Sequence, residues 1–127
     1  MLNNILLVGL GGFIGSIARY LMAGGVNRYW LLAQFPFGTL VVNVIGCLVI
    51  GFLGGLAISK ASFTESYRLF LFTGILGGFT TFSAFGLETF YLLRSAQWVM
   101  AFLNIMAQLV LGLGATALGY WLSNKLF

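Results

Sequence analysis

Residues 77–88 read GGFTTFSAFGLE, and this stretch decides how the chain is organised. It lies inside an apolar segment long enough to cross a membrane, yet its adjacent glycines are followed by Thr80, Thr81 and Ser83. Non-helical backbone at membrane depth persists only where protein buries it or where it lines a cavity. We therefore predict that a transmembrane helix is broken near residues 77–83, and we expect the functional site at that break.

The composition is that of an integral membrane protein. Of the 127 residues, 61% are hydrophobic and 6% are charged, whereas soluble domains carry about 25% charged residues. We expect a single domain over residues 1–127 that lies in membrane lipid, binds no nucleic acid and is not an enzyme. Histidine is absent and Cys47 is the only cysteine, so an imidazole metal site, a thiolate cluster and an intrachain disulfide are excluded.

Four apolar runs separated by short polar links predict an all-α membrane protein of four transmembrane helices. The runs cover residues 5–23, 37–58, 69–93 and 98–123, and the break falls in the third. The links cover residues 24–36, 59–68 and 94–97. Because the last link is close to a tight turn, spans three and four are predicted to be antiparallel neighbours.

The basic residues are divided equally between the two sides of the membrane. Four spans place both termini and the second link on one side, which carries Lys60, Arg68 and Lys125; the other side carries Arg19, Arg28 and Arg94. Since an excess of Lys and Arg normally fixes orientation, this tie predicts dual topology and an antiparallel homodimer. The alternative is that so few charges carry no orientation signal.

Small residues predict close contacts between helices. Gly11 and Gly15 in span one, and Gly51 and Gly55 in span two, are each separated by three residues. This spacing lets helix backbones approach in lipid. It does not tell which helices meet, or whether they belong to one chain.

Polar side chains within the spans form two rows. Thr39 and Asn43 are four residues apart in span two, and Asn104, Gln108, Gly112 and Thr116 follow at steps of four in span four. Residues at this spacing share one helix face. Intramembrane amides either join helices or line a path, and two rows beside a helix break favour a narrow polar pathway.

The chemistry of this pathway suits an anion. Asn, Gln, Thr and Ser offer neutral donors, and Phe82 and Phe85 would present positive ring edges unless they only pack in the core. Arg19 either snorkels to the membrane surface or attracts anions to a pore mouth. Glu88, the acidic residue within a span, is expected to form a structural pair, with protonation and proton transfer as alternatives. Carbonyl groups freed at residues 77–80 could hold a hard cation.

Three motifs resemble the Fluc (CrcB-like) fluoride channel family across nearly the whole chain. They are GGFTTFSAF from residue 77, GTLVVN at 38–43 and GSIARY at 15–20. The resemblance implies a passive fluoride-selective channel that exports fluoride across a microbial plasma (inner) membrane. It also implies an antiparallel, dual-topology homodimer with two pores, which agrees with the equal charge count.

The resemblance also implies residue roles. Asn43 would be the pore-lining amide, and the ring edges of Phe82 and Phe85 would contact fluoride. Backbone carbonyls of Gly77 and Thr80 from both copies would hold a structural sodium ion at the dimer centre. The other implied positions are Thr39 and Ser83 along the path, Asn104, Gln108 and Gly112 in span four, and Arg19 near the vestibule. The family often writes TTFSTFS, whereas this chain has Ala84 and Gly86, so hydroxyls there are dispensable.

Two other functions remain open at this point. Small proton-coupled multidrug exporters are also short, four-spanned and dual-topology, and in such a protein Glu88 would be the proton-carrying carboxylate. Their acidic residue is expected in the first span, where this chain has Arg19 and no acid. A non-transporting assembly subunit, which binds larger partners through its glycine faces, is the third possibility.

Overall fold

The computed structural model describes residues 1–30, 34–59 and 63–127, and it is built from helices. Helix α1 is Leu2–Tyr29, α2 is Phe37–Ser59, α4 is Phe82–Arg94 and α5 is Trp98–Leu126. We use α3 for the continuous run 65–79, in which Glu65–Arg68 is α-helical, Leu69–Leu76 is π-helical and Gly77–Phe79 is α-helical. In the part of the chain that the structure describes, four segments are long and apolar enough to span a membrane, the third being Glu65–Arg94. The predicted four-span, all-α fold is confirmed. Lys60 and part of each of the first two predicted links lie outside the described residues.

The helices pack in two pairs. Helix α1 lies against α3, and α2 lies against α5, while α1 and α2 also contact each other. The predicted contact between spans three and four is made by α4 with α5, after the break. The main partner of span four is nevertheless span two, because glycines on both helices allow the closer approach there.

Glycines occupy the places where helix backbones meet. A Cβ atom on Gly11 would lie 2.6 Å from the Phe70 carbonyl oxygen, and one on Gly15 would strike the Ile75 carbonyl. In the other pair, a Cβ on Gly51 would strike the Thr116 carbonyl. Both predicted glycine pairs therefore serve contacts within the chain, α1 with α3 and α2 with α5.

The first helix is longer than predicted. Span one was expected to end at Ala23, before Gly24 and Gly25, but α1 continues through both glycines to Tyr29. The extra turns bring Asn27 to the start of α2, where its Oδ1 accepts a hydrogen bond from the Gly38 amide at 3.1 Å. This contact satisfies one of the free amides at the α2 N-terminus, and it offsets the low helix propensity of glycine.

The break in span three lies at Thr80 and Thr81, inside the predicted range of residues 77–83. Both residues have extended backbone, with φ/ψ of −80°/156° and −149°/112°. Gly77 and Gly78 before them are helical, so the chain leaves the helix at the two threonines. The missing side chain of Gly78 serves packing, because a Cβ there would lie 2.6 Å from the Gly12 carbonyl oxygen, whereas a Cβ on Gly77 would make an ordinary contact at 3.6 Å.

Candidate functional site

One side-chain amide from span two forms hydrogen bonds with the backbone at the break. The Thr81 N–H donates to Asn43 Oδ1 at 2.8 Å, and Asn43 Nδ2 donates to the Thr81 carbonyl at 3.0 Å. Asn43 Nδ2 also donates to Gln108 Oε1 at 3.1 Å. Asn43 on α2 therefore joins the break to α5, and it supplies hydrogen bonds that a continuous helix would have made internally.

Threonine side chains form hydrogen bonds with the backbone at the two helix ends that meet at the break. The Thr80 hydroxyl donates to the Leu76 carbonyl at 2.9 Å, and the Thr80 amide donates to the same oxygen at 3.0 Å. On the other side, Thr81 Oγ1 accepts from the Ala84 amide at 3.1 Å and caps α4. The Thr81 and Ser83 hydroxyls also pair at 3.2 Å. Adjacent threonines thus end one helix and start the next.

A cavity of about 350 Å³ lies beside the break, and we call it the Phe-lined cavity. The Phe82 and Phe85 ring centroids are 5.4 Å apart with planes inclined at 59°. In the single chain Phe82 is 83% exposed, so its ring stands free of the chain's own core. None of the described residues that line this cavity is charged. The lining is Asn43, Gly46, Cys47, Ile50, Phe72, Leu76, Gly77, Thr80, Thr81, Phe82, Phe85, Gln108 and Leu109.

The amide of Gln108 differs from that of Asn43 in one respect. Its oxygen accepts from Asn43, but its nitrogen is buried without a hydrogen-bond partner among the described residues. A buried donor of this kind costs about 1–3 kcal/mol. Gln108 borders the Phe-lined cavity, and its side-chain nitrogen is a buried hydrogen-bond donor without a partner among the described residues.

Glu88 lies outside the Phe-lined cavity and is paired with a hydroxyl. Thr39 Oγ1 donates to Glu88 Oε1 at 2.7 Å, which ties α2 to α4 two turns beyond the break. Among the described residues no Lys or Arg forms an ion pair with Glu88. Its Oε2 is buried without a hydrogen-bond partner in that part of the chain, and Glu88 borders a separate cavity of about 520 Å³ near the ends of α1 and α4.

Asn104 is a contact between helices. It is fully buried, and its Nδ2 donates to Thr89 Oγ1 at 2.9 Å. The Thr89 hydroxyl donates in turn to the Phe85 carbonyl at 2.7 Å. This chain of bonds fixes α4, and with it Phe85, against α5.

The structure brings part of the predicted site together. Asn43, Gln108, Phe82, Phe85, Gly77 and Thr80 all line the Phe-lined cavity. The predicted residues outside its lining are Arg19, Thr39, Ser83, Glu88, Asn104 and Gly112.

The site assignment from sequence missed Thr81, Thr89 and Cys47. The available signal for Thr81 was a threonine directly before a new apolar helix, which is typical of a helix N-cap. Nothing in the sequence pairs Thr89 with Asn104, since that contact depends on the tight turn between α4 and α5.

No group of three or more His, Cys, Asp or Glu in the described part of the chain is placed to hold a metal ion. The available cation ligands near the break are backbone carbonyls. The Thr81 amide donates to Asn43 instead of the Gly77 carbonyl four residues earlier, and the carbonyls at the end of α3 carry the negative end of the helix dipole.

The chain matches known proteins over most of its length. The family model described as CrcB-like protein, Camphor Resistance (CrcB), matches residues 6–120. A Methylobacillus flagellatus protein named fluoride-specific ion channel FluC is 51% identical over 117 residues, which cover 92% of this chain and 91% of that protein. Proteins of the same name from Nitrobacter winogradskyi and Desulfotalea psychrophila are 44% and 41% identical, and the matches cover 91% and 96% of this chain and 90% and 93% of those proteins.

Proposed function

This chain belongs to the CrcB-like family, and from that premise we propose that it is a passive channel that exports fluoride from the cytoplasm. It is a multi-pass protein of the bacterial inner membrane. The observation that carries the proposal is the uncharged Phe-lined cavity beside a helix break, bordered by the side-chain amides of Asn43 and Gln108. The relatives bear the name of fluoride-specific channels, so the exporter and assembly-subunit alternatives are not favoured.

The cavity has the features that a small anion needs. A channel site must replace part of the hydration shell and still let the ion leave. Neutral N–H donors and the positive edges of Phe82 and Phe85 provide such moderate attraction. The first amides of α4 add the positive end of a helix dipole beside Phe82. A fixed cation in the wall would hold the ion more tightly, and no described residue there carries charge.

The proposed pathway keeps the residues that the resemblance assigns. Asn43, Gln108, Phe82 and Phe85 border one cavity, which supports their place on the path. Thr39, Ser83 and Asn104 are proposed to extend the path beyond that cavity, and Arg19 to attract anions at the vestibule. Arg19 is half-buried and has no hydrogen bond or ion pair within the described residues, so its charge is available to an ion.

The proposed assembly is an antiparallel, dual-topology homodimer with two pores. Ring exposure supports it, because Phe82 is 83% exposed in the single chain although it borders the cavity. A second copy that covers this ring would close the path from lipid. The equal division of basic residues is consistent with two insertion directions.

A structural sodium ion at the dimer centre is part of the proposal. Carbonyls of Gly77 and Thr80 would hold it, and their chemistry fits, because neutral oxygens at a negative helix end suit a hard cation. Gly77 is exposed in the single chain, as a ligand shared with a second copy requires. Such an ion would supply a fixed positive charge that neutralises the meeting carbonyl groups.

The test of the function is fluoride release from liposomes that contain the purified protein. Fluoride-selective and chloride-selective electrodes would record efflux in parallel from vesicles loaded with both ions. Rapid fluoride loss without chloride loss is expected. Absence of fluoride loss from vesicles with verified, folded dimers would contradict the channel, and proton-dependent cation export that disappears in Glu88→Gln would favour the exporter.

A further inference from the structure

We propose that the start of the third span binds phosphatidylethanolamine, a zwitterionic lipid of the surrounding membrane. The site is formed by Glu65, Arg68, Leu69 and Phe72, and we call it the lipid site. These residues border a cavity of about 260 Å³. Phe72 also borders the Phe-lined cavity, but the two charged residues do not. The proposal concerns the lipid around the protein and does not depend on which ion the protein conducts.

The order of these residues along α3 matches the order of the groups along the lipid. Glu65 and Arg68 precede the largely apolar run 69–76, so they lie at the membrane surface, while Leu69 and Phe72 lie deeper. In phosphatidylethanolamine the ammonium group is outermost, the phosphate lies beneath it, and the acyl chains follow. Glu65 therefore meets the ammonium group and Arg68 meets the phosphate, about 4.5 Å further along the helix axis. Leu69 and Phe72 contact the start of an acyl chain.

Both charged side chains of the lipid site are available to a headgroup. Glu65 and Arg68 are exposed, and the Glu65 carboxylate makes no hydrogen bond or ion pair with the residues that the structure describes. Arg68 Nη2 donates to the Ala57 carbonyl at 3.4 Å, near the end of α2. This bond holds the guanidinium group beside α2 and leaves its other N–H donors for a phosphate. The lipid site therefore offers a positioned cation and a free anion.

The two opposite charges favour phosphatidylethanolamine over other phospholipids. Arg68 can bind the phosphate group that all of them carry. Phosphatidylglycerol has no cationic group for Glu65, and the carboxylate repels its net negative charge. Phosphatidylcholine has a cationic group, but its trimethylammonium nitrogen carries no N–H that could donate to Glu65. The ammonium group of phosphatidylethanolamine supplies both the charge and the N–H donors, so it alone of the three completes both contacts.

The test is native mass spectrometry of the intact protein, purified in detergent and titrated with phospholipids. Phosphatidylethanolamine, phosphatidylglycerol and phosphatidylcholine with identical acyl chains are added in equal amounts, so that only the headgroup differs. Phosphatidylethanolamine should bind about three- to tenfold more tightly than either of the others, because it makes one more charge-assisted hydrogen bond. Equal retention of the three lipids would overturn the proposal, and so would a preference for phosphatidylglycerol.

Two variants test the two charges separately. Arg68→Gln should weaken phosphatidylethanolamine binding about three- to tenfold. Glu65→Gln should abolish the preference for phosphatidylethanolamine and raise phosphatidylglycerol binding, because the repelling carboxylate is gone. The control is Arg28→Gln, which removes the same charge from an exposed position in the last turn of α1 and should leave the lipid preference unchanged. An equal loss of binding in Arg28→Gln would mean that only net charge matters, and it would overturn the lipid site.

A second measurement asks whether another copy of the chain covers this surface instead of a lipid. Leu69→Cys is made in a Cys47→Ala background, which removes the only native cysteine. Under mild oxidation in phosphatidylethanolamine bilayers this protein should remain without a disulfide between chains. Complete disulfide formation between two copies would place a second chain on the surface and overturn the proposal. If Arg68→Gln does not fold, the change of lipid preference in Glu65→Gln decides, since Glu65 makes no contact that supports the fold.

Discussion

The two halves of the third span are held by opposite means. Before the break, α3 packs on α1 through backbone contact at Gly11 and Gly15, where there is no room for a side chain. After the break, α4 is tied to α2 and α5 by hydrogen bonds, Thr39 to Glu88 and Asn104 to Thr89. The first half makes a rigid, dry contact, whereas the second holds polar groups at membrane depth. The break lies where one kind of contact gives way to the other.

The largest effect is expected in the dry half. A Cβ on Gly15 would strike the Ile75 carbonyl and lie 2.8 Å from the Phe79 amide nitrogen. Because backbone atoms cannot move aside as side chains do, Gly15→Val should cost about 3 kcal/mol or prevent folding. The measurement is thermal unfolding and recovery of folded protein by size-exclusion chromatography. Gly9→Val is the matched control, since nothing lies within 4 Å of a Cβ there; equal stability of the two variants would contradict the packing argument.

The next effect tests the hydrogen-bonded half through its central amide. Asn43→Asp should lower fluoride efflux at least about 100-fold, because a like charge beside the ion costs several kcal/mol. Liposome efflux measured on folded protein is the readout. Asn124→Asp, on an exposed residue near the end of α5, makes the same chemical change away from the cavity. Wild-type flux in Asn43→Asp would remove Asn43 from the pathway.

A smaller effect is expected from a change of the Phe82 ring, which borders the Phe-lined cavity. Phe82→Ile should reduce fluoride throughput about tenfold without unfolding the protein, because it removes the ring edge and keeps apolar bulk. The control for efflux and for the size-exclusion profile is Phe102→Ile, since the Phe102 side chain is also largely exposed, at 60%. Normal conduction by Phe82→Ile would mean that the ring serves packing alone.

The smallest effect separates the structural bonds from the pathway. Thr89→Val keeps the side-chain shape but removes the acceptor of Asn104, so it should destabilise the protein by about 1 kcal/mol and lower fluoride flux by less than Phe82→Ile does. Thermal unfolding and efflux are measured on the same preparations. The exposed Thr73→Val is the control and should change neither. A large loss of flux at unchanged stability would place this hydroxyl on the path.

The sequence predicts more of the fold than of the hydrogen-bonded site. Span two is predicted from Phe37 to Ile58, within one residue of the observed α2, Phe37–Ser59, because hydropathy alone defines a helix in lipid. The end of α1 could not be placed, since its last turns depend on the contact between Asn27 and Gly38. The π-helical run Leu69–Leu76 gave no signal either, because its residues other than Thr73 are ordinary apolar ones.

Within the site, residue types were predictable and their pairing was not. The break, the polar rows and the two phenylalanines follow from spacing on single helices. That Asn43 pairs with Thr81 and Gln108, while Glu88 pairs with Thr39, depends on how three helices are rotated about their axes. Periodicity specifies a face of each helix but leaves open which residues of two faces meet.

The two hydrogen bonds between Asn43 and the Thr81 backbone have a consequence for how the protein assembles in the membrane. In lipid, the Thr81 N–H cannot remain unpaired, and its partner belongs to a different span. When the third span first enters the bilayer, the backbone at Thr80 and Thr81 therefore finds hydrogen-bond partners only within its own helix. The span should thus insert as one continuous helix. The kink is acquired later, when the second span docks and offers its amide. The insertion machinery should thus receive four continuous helices, and the ion pathway should form only when these helices pack together.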